Sequence, residues 1–141
     1  MNAVTFVFEN IEPIPLDEEK IGSWINQTIQ QEKHKLLSIT IILCSDDYLL
    51  GINKNYLNHD YYTDIITFDN SDSDEEIEAD LFISLERVKE NAVIEKTGLM
   101  NELLRVCVHG ILHLCGYDDK TTEQRKLMRS KENAYLSLHF K

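Results

Sequence analysis

The chain has 141 residues, a length that suits one domain with one real core, and its 43% hydrophobic content with only two prolines is globular rather than disordered. A net charge of −11 argues against a non-specific nucleic-acid binder, because neutralising phosphates requires clustered lysine and arginine. No stretch of about 18 apolar residues occurs, which excludes a membrane-spanning helix, and the opening MNAVTFVFENIEP lacks the basic segment and cleavage site of a secretory signal.

Taken in chain order, AVTFVFEN alternates and is rich in β-branched and aromatic residues, which predicts a strand. A helix is expected from Asp17, a suitable N-cap, with Ile21, Trp24, Ile25 and Thr28 on one face. LSITIILCS is a continuous apolar run, the pattern of a buried strand. SDDYLLGINKNYLN follows as a helix opened by Ser45 or Asp46, then TDIITF and EADLFIS as two strands. Between them DNSDSDEEIEAD has seven acidic residues in twelve and reads as a solvated connection; it lacks the glycine and ligand spacing of a calcium loop. From Ser84 onward the pattern is helical: LERVKENAVIEKTG ending at Gly98, LMNELLRVCVHGILHLCG ending at Gly116, and a last helix opened by Thr121 and Gln124 at capping-box spacing. The order β-α-β-α-β-β-α-α-α implies one α+β domain over residues 1–141, a small mixed four-stranded sheet packed with helices. Cys44, Cys107 and Cys115 form no pattern and read as buried thiols of a reducing compartment, so a cytoplasmic location is expected.

Charge is unevenly placed. Residues 1–86 carry 4 basic and 18 acidic residues, a balance of −14; residues 87–141 carry 10 basic and 7 acidic, a balance of +3. The mildly basic half also holds HGILHLCGYDDK, residues 109–120. On a helix, His109 and His113 lie one above the other, about 5–6 Å apart at Cβ, and two imidazoles so placed can share one tetrahedral metal. The helix stops at Gly116, and a turn through Tyr117 could return Asp118 or Asp119 to the pair. Two histidines and a carboxylate make a catalytic zinc arrangement. The same spacing also suits a buried helix whose histidines are merely hydrogen-bonded among Val106, Leu112 and Leu114, and the residues alone leave both readings open. Gly110 permits close approach of another backbone or a substrate. It also stands where the H-E-x-x-H metalloproteases place their general base, so peptide hydrolysis by that mechanism is not expected.

HGILHLCGYDD resembles the H-G-x-L-H-L-x-G-Y-D-H signature of the YbeY family of bacterial metallo-endoribonucleases. INKNYLNHDYYTDIITF is similar to that family's L-N-x-x-Y-R-x-x-D-x-x-T-D-V-L-S-F segment, and ADLFISLERVKENA to its G-D-I-x-I-S-x-E-x-x-x-x-Q-A segment, together covering about residues 48–119 in order. The resemblance implies a single-domain α+β fold and one zinc ion per chain held by His109, His113 and Asp119. It implies a single-strand endoribonuclease acting in 16S ribosomal RNA 3′-end maturation and ribosome quality control. The implied partners are ribosomal RNA, the small ribosomal subunit, and a ribosomal protein or GTPase, with no DNA and no membrane. Two positions depart from the family pattern: Asp119 stands for histidine, which lowers a zinc site from 2+ to a net +1, and Leu57 stands for an arginine suited to phosphate. His59 and Lys54 are nearby substitutes for that arginine. Asp118 is a candidate to orient a ligand histidine, Asp64 and Thr63 to cap a strand or line the cleft, and Arg87, Arg105, Arg125 and Arg129 to contact RNA phosphate. Arg87 and Arg105 could equally pair with helical neighbours such as Glu90 or Glu102. The rival reading is a ribosome-assembly or binding factor with a mainly structural metal; a zinc hydrolase of smaller substrates is a third.

Overall fold

A computed structural model describes residues 3–59 and 61–139. Asp60, inside the INKNYLNHDYYTDIITF segment, lies outside the described residues. The elements run β1 (Val4–Glu9), α1 (Glu18–Gln31), β2 (Lys35–Cys44), α2 (Asp46–Leu57), β3 (Ile65–Asp69), β4 (Glu76–Ser84), α3 (Leu85–Ile94), α4 (Leu99–Leu114) and α5 (Thr122–His139). That is the expected order, in an α+β fold with one four-stranded mixed sheet. The strands lie in the order β1-β2-β4-β3. β1, β2 and β4 are mutually parallel, and β3 pairs antiparallel with β4.

The sheet's two faces are unequally covered, which explains the unbroken apolar run of β2. Ile39, Ile41 and Leu43 point into the main core with Leu81 and Ile83 of β4, against Ile21, Trp24, Ile25 and Ile29 of α1, Leu104, Cys107 and Ile111 of α4, and Met128, Tyr135 and Leu136 of α5. The alternate residues Ile42 and Cys44 join Ile66 and Leu49 in a smaller cluster beneath α2. Burying a side chain such as Ile41 or Leu81, both fully buried, contributes about 1.5–3 kcal/mol each. The cysteines are free thiols; Cys44 and Cys107 are buried, and Cys115 is half-buried. Burial pushes all three up to about 12.

Helix starts follow side-chain chemistry. Asp17 accepts from the Lys20 amide, and Ser45, not Asp46, caps α2 through the Tyr48 amide. Thr121 and Gln124 form the reciprocal capping box, both bonds at 3.0 Å.

Two readings are corrected. The acidic segment is a loop only over residues 70–75; Glu76, Glu78 and Asp80 belong to β4, where they alternate with buried Ile77, Ala79 and Leu81. Charge density hid a period of two. Gly98 does not end α3 but is the N-cap of α4 in extended conformation. α3 closes through Lys96, at φ 57, with Lys96 N–H donating to Val93 and Thr97 N–H to Ala92. This is the closure that glycine usually provides, made here by a lysine, as it is by Lys33 after α1.

Candidate metal centre

α4 carries the site. It crosses the β3–β4 side of the sheet at Gly110, where a Cβ would stand 2.8 Å from Ile65 Cδ1, 3.3 Å from Leu81 Cδ2 and 3.3 Å from Thr67 Oγ1. The close approach expected of Gly110 is thus to the sheet. One residue earlier stands His109, which lines a cleft, and three residues later His113, whose Nε2 meets that of His109. Gly116, at φ +104, closes the helix, with its own N–H on the His113 carbonyl and the Tyr117 N–H on the Leu112 carbonyl. The chain then turns back, and Asp119 arrives over the histidines before α5 begins.

Three ligand atoms converge there. His109 Nε2 and His113 Nε2 are 3.0 Å apart; Asp119 Oδ2 lies 3.3 Å from the first and 3.4 Å from the second. A tetrahedral ion with ligands at about 2.0–2.1 Å sets them about 3.3–3.4 Å apart, so this triangle fits one.

The opposite ring nitrogens settle the tautomers. His113 Nδ1 is 2.8 Å from the Tyr117 carbonyl, which can only accept. His109 Nδ1 is 2.8 Å from Glu132 Oε2. Both Nδ1 atoms therefore donate, so that whenever the rings are neutral their two Nε2 lone pairs face each other and a carboxylate. Such a convergence calls for a cation. The same field acts on the proton: the Glu132 bond raises the pKa of His109 above its ordinary value, against burial, with Asp119 and Asp64 adding to the rise. With side-chain exposures of 26%, 31% and 40% for His109, His113 and Asp119, the triad is open to solvent on one side. Among the described residues it is the one group of histidine, cysteine and acid side chains placed to hold an ion.

The cleft of about 270 Å³ beside the triad is lined by Asp64, Glu102, Arg105, Arg125, Arg129 and Glu132, among others. Arg105 spans Glu132 Oε1 at 3.0 Å and Asn133 Oδ1 at 2.8 Å. Its partners are on α5, not Glu102 on its own helix. Arg125 donates to the Asp119 and Lys120 carbonyls at 3.4 and 3.0 Å, which makes it a strut of the ligand loop. Arg129 is 59% exposed, with Glu132 at 3.9 Å. Arg87 is not among the cleft residues. It grips Asp46 with two bonds of 3.1 and 2.8 Å, rather than Glu90, and lies over the Tyr62 ring.

Asp118 is exposed and makes neither ring-orienting contact; the work expected of it falls to Glu132 and the Tyr117 carbonyl. Asp64 lines the cleft, and its carbonyl accepts from the Ser84 amide at 2.9 Å. Thr63 bonds the Ile65 carbonyl. Leu57 is 40% exposed at the end of α2, and His59 stacks on Tyr61. Sequence reasoning missed Glu132. Its signal was present: Met128, Glu132, Tyr135 and Leu136 share one helical face, and all four are buried. A carboxylate on an apolar stripe calls for a partner.

The family model for Endoribonuclease YbeY matches residues 7–139. The chain belongs to the YbeY family. It is 52% identical over 119 residues to the Endoribonuclease YbeY of Cytophaga hutchinsonii, covering 84% of this chain and 83% of that one. It is 48% identical over 122 residues to that of Flavobacterium psychrophilum, covering 86% of each. A solution structure of a Thermotoga maritima protein is similar with a TM-score of 0.67 at 26% identity, covering 96% of this chain and 89% of that one. Family membership thus extends the three motif segments to both terminal helices, α1 and α5, and α5 is where Glu132 lies.

Proposed function

We propose that this protein is a zinc-dependent endoribonuclease that cuts single-stranded RNA in 16S ribosomal RNA 3′-end maturation and ribosome quality control, acting in the cytoplasm on the small ribosomal subunit. One observation carries the reading: three ligand atoms 3.0–3.4 Å apart, with both imidazoles oriented from behind, at the edge of a cleft that also presents three arginines. His109, His113 and Asp119 would hold the ion. When bound, zinc supplies Lewis acidity, polarising a phosphoryl oxygen and acidifying water.

The chain's own residues do the rest. Glu132 and the Tyr117 carbonyl keep the ring protons on Nδ1 and hold the rings in place. Arg129, the least engaged cleft arginine, is the best placed to meet phosphate, with Arg105 on the wall behind it. Arg125 holds the Asp119 loop. Phosphate contacts of this kind position RNA without reading its bases, which suits a nuclease whose substrate is defined by being single-stranded.

The test compares cleavage of single-stranded and duplex RNA by the purified protein, with and without chelator. Cutting of the single strand alone, lost on chelation and restored by added zinc, is expected. Cleavage indifferent to chelation would overturn the metal-dependent reading. Zinc-loaded protein that binds ribosomal subunits and cuts nothing would favour the assembly factor with a structural metal, a reading to which Leu57 and the net charge of −11 lend weight.

A further inference from the structure

The carboxylate of Glu32, at the C-terminal cap of α1, gathers three contacts from the far end of the chain. Its Oε1 accepts from the Tyr117 hydroxyl at 2.7 Å. Its Oε2 accepts from the Tyr135 hydroxyl, and Lys131 Nζ stands 3.5 Å from the same oxygen. Lys131 also lies over the Tyr117 ring, 5.7 Å from its centre. The Glu32 side chain is only 10% exposed. Burial pushes its pKa up, but the Tyr135 and Tyr117 bonds and Lys131 outweigh this and hold it below the ordinary carboxylate value, so it is charged at neutral pH.

Tyr117 itself carries one ring-orienting group, and Tyr135 lies on the same helix as the other. Tyr117 is pinned through its N–H to Leu112, through its carbonyl to His113 Nδ1 and through its hydroxyl to Glu32; Asp119 follows two residues later. Tyr135 lies three residues beyond Glu132 on α5, and its carbonyl accepts from Trp24 Nε1 of α1 at 2.7 Å. Releasing Glu32 would free the hydroxyl anchors of the Tyr117 loop and of the α5 segment that carries Glu132.

We propose that Glu32 is a positioning residue for the metal site, setting both imidazoles at once through the Tyr117 carbonyl and through the α5 segment that carries Glu132. The proposal rests on the reading that His109, His113 and Asp119 hold zinc. Its chemistry is a matter of tolerance: lone pairs 3.0–3.4 Å apart bind an ion well only while the rings are held.

Zinc affinity, measured at 25 °C by competition with a chelating dye, tests this without reference to RNA cleavage. Groups that orient ligands typically account for about 10–100-fold in affinity, and Glu32→Ala, one bond further out, should weaken zinc by about 10-fold. Glu32→Gln can still bond a tyrosine hydroxyl and should recover most of that loss. Tyr117→Phe removes one hydroxyl alone; it should weaken zinc in the wild-type background and add little in Glu32→Ala, because the two share one contact. A cobalt-substituted Glu32→Ala protein should show an altered visible ligand-field spectrum. Unchanged zinc affinity and cobalt spectrum in a Glu32→Ala protein with a lower melting temperature would reduce Glu32 to a structural tie and overturn the proposal. Should Glu32→Ala fail to fold, unchanged affinity in Tyr117→Phe does the same. Wild-type protein that takes up no zinc would remove the metal reading itself, an outcome distinct from both.

Discussion

Glu132 meets His109 Nδ1 with one carboxylate oxygen and Arg105 with the other, and its side chain is only 6% exposed. Removing it strands a guanidinium in a half-buried place, a loss of about 3–5 kcal/mol for a buried pair, and frees the His109 ring. Glu132→Ala should therefore lower both thermal stability and zinc affinity, the latter by about 10–100-fold; equilibrium unfolding and chelator competition measure the two separately, and intact affinity would show that the bond is structural only. Glu102 offers the opposite sign. Burial holds its pKa above the ordinary 4.5, against the pull of Arg105 and Arg129, so the fold prefers the protonated form. That preference is fully present below the unfolded value and is lost as pH rises through the folded one. Glu102→Gln should accordingly raise the melting temperature at pH 7 and leave it unchanged near pH 4; a gain that is equal at both pH values would contradict the assignment. His109, His113 and Asp119 were legible in HGILHLCGYDDK because helical spacing and a glycine stop bring them together locally. Glu132 and Glu102 were not, because their roles depend on which helix packs against which.

At the scale of elements, local chemistry carried the reading furthest. β-branched runs, N-cap side chains and the capping box each acted within a few residues, and the element order followed from them. Helix ends misled where a lysine occupies a position that usually belongs to glycine. Lys33 and Lys96 sit at φ 66 and 57, a conformation that costs an L-residue about 1–2 kcal/mol. Lys96→Gly should therefore stabilise by up to about 1 kcal/mol after glycine's greater unfolded-state entropy is offset. Gly116→Ala should destabilise by about 1–2 kcal/mol and displace the Asp119 loop. Matched denaturation curves of the two variants decide this, and shifts of the same sign would refute it. Gly110 sets the height of α4 above the sheet. Gly110→Val places β-branched bulk against Ile65, Leu81 and Thr67 and should cost about 1–3 kcal/mol.

Over the whole molecule, charge and topology agree. The acidic strand β4 and its preceding loop belong to the half at −14, while α4, α5 and the cleft arginines belong to the half at +3. RNA should meet the second half, with a shallow dependence on salt because few cations are released. Arg129→Ala should weaken single-stranded RNA binding about equally across sequences and flatten that slope while leaving zinc bound. Arg125→Ala should disturb zinc as well, since Arg125 braces the Asp119 carbonyl. Both expectations depend on the triad holding an ion, and elemental analysis of purified wild type beside His109→Ala tests that most directly. Wild-type protein should hold about one zinc per chain, the number a single four-coordinate site accepts, and a folded His109→Ala protein should lose nearly all of it. Equal zinc in the two proteins would contradict a metal held by the triad.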